Sequence, residues 1–138
     1  KFGIDISIGC PNNKEFMPLP LVVKEGKKLA KLNKSRFEIY DNAKEAVKNS
    51  DIIYTDSWMS YRIPKEEKPR RVKFLKSFQV NKELVKYAKK DFSFMHCLPA
   101  LRGDEVTKEV IDGKNSIVFK QAKNRLFSEK AILFKLIK

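Results

Sequence analysis

The sequence predicts an α/β domain built on a doubly wound, mainly parallel sheet with helices on both faces. Two observations carry this. Five short apolar segments alternate with segments of helical pattern, an order that requires βαβ crossovers and therefore parallel neighbours. The chain of 138 residues is also long enough to bury one hydrophobic core, and it shows no repeat or low-complexity linker.

The elements follow in order. Phe2 to Ile8 alternates around Ile4, Ile6 and Ile8 and stops at Gly9-Cys10-Pro11, as a strand does. Pro20 suits the first turn of a helix running to about Leu32, because its missing N–H would be unpaired there anyway. Phe37 to Tyr40 reads as a short strand. Asn42 caps a helix through Val47, with Glu45 three residues on as capping-box partner. Asp51 to Thr55 is a compact apolar strand. Ser57 to Lys68 is polar, split by Pro64, and reads as a loop leading to a helix at Arg70 to Lys76. Asn81 caps a helix from Lys82 to about Lys89, and Phe92 to Met95 is the next strand. A short helix at Glu105 to Ile111 stops at Gly113. Ile117 to Phe119 is expected to be the last strand, and Asn124 to Ile137 the closing helix.

Composition narrows the function classes. No apolar run reaches the ~18 residues of a membrane helix. The net charge of +13 invites a nucleic-acid partner. Against that, the lysines are spread along the whole chain, and the densest run, Lys65 to Arg71, includes Glu66 and Glu67. The aromatics fall inside apolar runs rather than between basic residues, as stacking platforms would. A solvated basic surface that suits a small anionic substrate is the expectation, without nucleic acid or membrane. Cys10 and Cys97 are too few for a disulfide framework and lack zinc-ligand spacing. A reducing, cytoplasmic setting is the default. The opening Lys1-Phe2-Gly3 suggests a piece whose natural start is missing.

Open α/β sheets bind ligands beyond the carboxyl ends of their strands. Three polar clusters stand there: Asp56 to Tyr61, His96 to Pro99, and Gln121 with Asn124 and Arg125. Each has a bland alternative. Asp56 can bond its own turn, and the lone His96 can be a structural hydrogen-bonding residue. Cys97 can be an inert thiol, and Arg125 can pair with Glu129 four residues on. A Cys-His nucleophile pair is disfavoured because adjacent residues leaving a strand point apart. Neither GxGxxG nor a P-loop is present.

Phe94-Met95-His96-Cys97-Leu98-Pro99 resembles the HCLP signature of the ornithine-type carbamoyltransferases. Asp51 to Ser60 resembles their "DVxYTDxWxS" segment. Ser116 to Phe119, with Gln121-Ala122 and Asn124-Arg125-Leu126, resembles their "VFxQAxNR" run. Gly3 to Ile8 followed by Pro11 is similar to their "GxDVxxxxP" strand. The motifs stand in family order across nearly the whole chain.

The resemblance implies the Rossmann-like, ornithine-binding second domain of a transferase that moves a carbamoyl group from carbamoyl phosphate to the side-chain amine of ornithine. The products are citrulline and phosphate. The Ser-Thr-Arg-Thr-Arg element of the family's carbamoyl-phosphate-binding domain is absent, and the domain's first strand and helix should precede Lys1. Carried over by position, Asp56 would hold the α-amino group of ornithine, and Ser60 would lie in the loop that closes over it. Cys97 would orient the reacting amine, with Leu98 beside it in a turn whose Leu98-Pro99 bond is cis in the family. His96 and Arg125 would bind the carbonyl oxygen of carbamoyl phosphate, where charge develops. No metal or organic cofactor is implied, and the full-length protein would be a homotrimer. One departure stands out: Ser60-Tyr61-Arg62 replaces the usual Ser-Met-Gly. Tyr61 and Arg62 can reshape the amine pocket, which leaves putrescine, agmatine and acylated ornithine as alternative substrates.

Overall fold

The computed structural model describes residues 2–60 and 62–137. Strand β1 (Ile6–Gly9) is the later part of the expected first strand. It ends at Cys10-Pro11, where proline has no N–H to continue a ladder. Helix α1 (Pro20–Leu32) opens on Pro20 as expected. It lies against β2 (Phe37–Tyr40) through Gly26, where an added Cβ would come within 2.6 Å of the Phe37 ring. Only glycine permits that approach. β1 and β2 are parallel neighbours, in register from Ile6 opposite Phe37 to Gly9 opposite Tyr40.

Helix α2 (Ala43–Val47) begins where Asn42 Oδ1 accepts the Lys44 N–H at 2.9 Å. It buries Ala43 and Ala46. Strands β3 (Ile52–Thr55) and β4 (Ser93–His96) form a second parallel ladder, with Ile52 opposite Ser93 and Thr55 opposite His96. Between them, α3 (Lys68–Leu75) follows a 3₁₀ turn at Lys65–Glu67. The core sits under the β3–β4 ladder. Ile53, Phe94, Val106 and Val118 pack there with Val80, Leu84, Val110 and Ile111. Phe94 is wholly buried, which alone contributes on the order of 1.5–3 kcal/mol.

Parallel strands joined through helices confirm the α/β class. Three element boundaries differ from expectation, each for a local reason. Ile117 to Phe119 is not a strand. The ladder gains only a bridge between Phe94 and Ser116, after which α5 (Val118–Leu136) begins at once, with Gln121 N–H bonded to Ile117 O at 2.8 Å. The segment after Asn81 makes only a 3₁₀ turn, Leu84–Tyr87, although Asn81 Oδ1 accepts the Leu84 N–H as a cap would. Glu105 lies in a turn and Val106 in a bridge rather than in a helix, because the Glu105 carbonyl accepts the Val80 N–H at 2.9 Å. Val106 bridges Val80 there, and α4 (Lys108–Ile111) starts only afterwards.

The two ladders are not hydrogen-bonded to each other among the described residues. A cleft of about 490 Å³ separates the flanks of β1 and β3, lined by Ile4, Asp5 and Ser7 on one side and Ile52 to Tyr54 on the other. Ile6 is 46% exposed and Ile52 56%. No helix among the described residues is long and apolar enough to cross a membrane.

Candidate functional site

Strand register builds the site. Thr55 and His96 are paired at the carboxyl ends of β3 and β4, so the next residues, Asp56 and Cys97, leave the sheet side by side. The Cys97 thiol donates to Asp56 Oδ1 at 2.8 Å. The same oxygen accepts the Ser57 N–H at 2.6 Å. Both recorded bonds fall on Oδ1, which leaves Oδ2 to meet a ligand. Partial burial, reinforced by Asp56, pushes the Cys97 thiol above its ordinary pKa. The group therefore works as a neutral donor rather than a thiolate nucleophile. His96 Nδ1 is 3.9 Å from the sulfur and already accepts the Leu98 N–H at 2.8 Å, so no Cys-His couple forms.

His96 has its ring enclosed by protein. Its side chain has no exposed surface, and with Nδ1 occupied the proton sits on Nε2. Nε2 lies 3.3 Å from Glu105 Oε1 in an approach too bent for a good hydrogen bond. Both ring nitrogens face protein groups in this arrangement, and His96 shapes the turn through the Leu98 amide.

The turn itself is unusual. Leu98 has φ +58°, the left-handed region that costs a branched side chain roughly 1–2 kcal/mol. The Leu98-Pro99 bond is cis, as the motif implied. Leu98 and Cys97 are both partly buried. Together with Pro99 they line one wall of an open hollow, and Ala122, Arg125, Leu126 and Glu129 of α5 line the other. Arg125 reaches this hollow but is 68% exposed, with Nη2 3.1 Å from Glu129 Oε1. Ser60 is exposed in the loop after β3, where its carbonyl accepts the Ile63 N–H at 3.0 Å. Tyr61 lies outside the described residues.

A second hollow, of about 350 Å³, runs from the end of β1 (Gly9, Cys10, Pro11) to Asp56, Ser57 and Trp58. Trp58 is buried, and its carbonyl accepts Arg71 Nε at 2.7 Å, which ties the loop after β3 to α3. Among the described residues no group of three or more His, Cys, Asp and Glu is gathered as metal ligands would be.

Two of the three expected clusters thus meet directly. The third joins through Gln121, whose Oε1 accepts the His96 N–H at 3.1 Å while its Nε2 donates to the Tyr54 hydroxyl at 3.2 Å. Glu105 and Arg71 were missed. Glu105 stands beside Gly103 and Asp104 and looks like a surface acid, and Arg71 lies in a run of solvated charges.

A parallel α/β sheet whose strand ends present a carboxylate and a neutral thiol, faced by an arginine, is the setting in which domains of this class bind small ligands. The comparisons with known proteins make this specific. Residues 1–136 match the family model of the aspartate/ornithine carbamoyltransferase Asp/Orn binding domain, and the chain belongs to that family. It is 47% identical over 133 residues to the ornithine carbamoyltransferase of Thermococcus kodakarensis, covering 96% of this chain and 41% of that protein. The Caldicellulosiruptor saccharolyticus enzyme is 48% identical over 133 residues, with 96% and 42% covered. Among solved structures, ornithine carbamoyltransferase from Pyrococcus furiosus superposes with a TM-score of 0.85 at 46% identity, covering 94% of this chain and 40% of that one. Ornithine transcarbamoylase from Giardia lamblia gives 0.86 at 36% identity, with 96% and 41% covered. The chain spans about two fifths of the length of these relatives.

Proposed function

We propose that the whole protein transfers the carbamoyl group of carbamoyl phosphate to the side-chain amine of ornithine, releasing citrulline and phosphate. The observation that carries this reading is the Cys97 thiol seated on Asp56 at the ends of two adjacent strands. An arriving α-ammonium takes the Asp56 carboxylate in a charge-assisted bond. Cys97 orients the uncharged δ-amine. The amine nitrogen then attacks the carbamoyl carbon, the C–O bond to phosphate breaks, and the amine proton is lost. Arg125 meets the carbonyl oxygen as charge gathers on it. Ser60 and Tyr61 belong to the closing loop, and Leu98 to the wall behind the amine. Juxtaposing two substrates is able to supply roughly 7 to 11 kcal/mol of the barrier.

This chain is the ornithine-binding domain of that protein. The phosphate of the other substrate is held by a further domain, and a strand ahead of Lys1 enters the cleft between β1 and β3, joining the two ladders. The assembled enzyme is a cytoplasmic homotrimer. Incubating the whole protein with carbamoyl phosphate and ornithine, acetylornithine, putrescine or agmatine tests the assignment. Citrulline from ornithine is expected to be the dominant product. A carbamoylated product from another amine without citrulline would overturn it.

A further inference from the structure

The turn that carries Cys97 is held by a residue that no motif points to. Glu105 is fully buried without a lysine or arginine partner among the described residues. Its Oε1 accepts the Leu101 N–H at 2.6 Å and faces His96 Nε2 at 3.3 Å. His96 Nδ1 in turn accepts the Leu98 N–H. The backbone donors on the two sides of Pro99 are therefore gripped by two touching buried side chains. From below, Gln79 Nε2 donates to the Gly103 and Asp104 carbonyls, each at 2.7 Å, which fixes the chain leading into Glu105. A carboxyl group is costly to bury, and a left-handed leucine persists only where its surroundings over-determine it. Both features occur here on one turn, whose sulfur meets Asp56.

We infer that Glu105 is a positioning residue. Acting through Leu101 and His96, it holds the Cys97 to Leu101 turn in the shape that seats the Cys97 thiol on Asp56. The inference rests on the carbamoyltransferase reading for its catalytic meaning, but the clamp itself is testable without substrate.

The probe is the rate at which a neutral alkylating reagent modifies Cys97 in the whole protein as a function of pH, followed on the Cys97 peptide by mass so that Cys10 does not intrude. The groups facing the sulfur are Asp56 from the end of β3, His96 Nδ1 within the turn, and Arg125 and Glu129 across the open hollow. Glu105→Met keeps bulk but loses the acceptor. The turn relaxes, the thiol leaves Asp56, and its titration moves down. Alkylation at pH 8 should rise at least about threefold as the thiolate fraction grows. Glu105→Gln keeps an oxygen where Oε1 stands and should match the parent within about twofold. In turnover, Glu105→Met should lower kcat about tenfold to a hundredfold while KM for carbamoyl phosphate changes little, as expected when a reacting group is misplaced rather than removed.

An unchanged Cys97 profile in folded Glu105→Met overturns the inference, whatever the substrate proves to be. If that variant does not fold, His96→Asn decides. Asparagine keeps an acceptor for Leu98 but loses touch with Glu105, so a downward shift supports the clamp and an unmoved profile sinks it. A shifted profile in a protein that makes no citrulline would keep the clamp and remove the ornithine assignment.

Discussion

The two walls of the Cys97 hollow are built differently. On one side, the turn after β4 rests on the wholly buried Phe94, takes backbone bonds from His96 and Glu105, and is tied to α5 by Gln121. On the other, Arg125 stands on the exposed face of α5, held among the described residues by Glu129 one turn on. The first wall is preorganised within this chain. The second is a flexible cation whose pairing with Glu129 contributes at most about 0.5 kcal/mol at a solvated helix surface. A site of this kind separates the group that must be rigid before substrate arrives from the group that waits for an anion to claim it.

That contrast can be broken in three places. The largest effect should come from Phe94→Ala, which empties the core beneath β4 and should cost about 3–5 kcal/mol of global stability. Urea unfolding of the whole protein measures it, and a loss below 1 kcal/mol would show that the turn does not depend on this core. Next, Arg125→Ala should lower kcat by roughly 10²–10³-fold, the usual cost of removing a donor to a developing oxyanion, with the unfolding midpoint unmoved. A stability loss matching the activity loss would mean that Arg125 is structural after all.

The smallest and most informative change is Asp56→Asn. It should reduce kcat/KM for ornithine about tenfold to a hundredfold by removing one charge-assisted contact. It should also move Cys97 in a defined direction. The carboxylate disfavours the thiolate, so its neutral replacement lowers the thiol pKa, and alkylation at a fixed pH below the parent's titration becomes faster. Slower or unchanged alkylation would separate the two residues and dissolve the first wall.

Most of this architecture was legible in the residues. Asn42 announced α2 through a bond that it makes, Pro20 announced α1, and the apolar run ending at His96 placed the turn at a strand end. The failures share a cause. Ile117-Val118-Phe119 is too short to reveal a period, and α5 starts without any side-chain cap, so nothing in the sequence marks the change from bridge to helix. Glu105 reads as an exposed helix-starting acid because its burial is decided by Val80, which pairs with its backbone from 25 residues upstream. His96 was found for its position, but not for the bond by which it shapes the turn. Which nitrogen a histidine offers depends on the folded turn around it, here on the Leu98 amide two residues later.

The cleft between β1 and β3 bears on how such a chain behaves in the cell. Two strand flanks facing a common gap are a template for any extended segment of compatible pattern, and Ile4, Ile52 and Tyr54 make that template adhesive. Segments made earlier on the ribosome have first access to such a gap, because a newly made domain folds while the rest is still being synthesised. Unpaired strand flanks of this kind favour edge pairing between copies of a chain, so a segment that fills the gap also keeps copies apart.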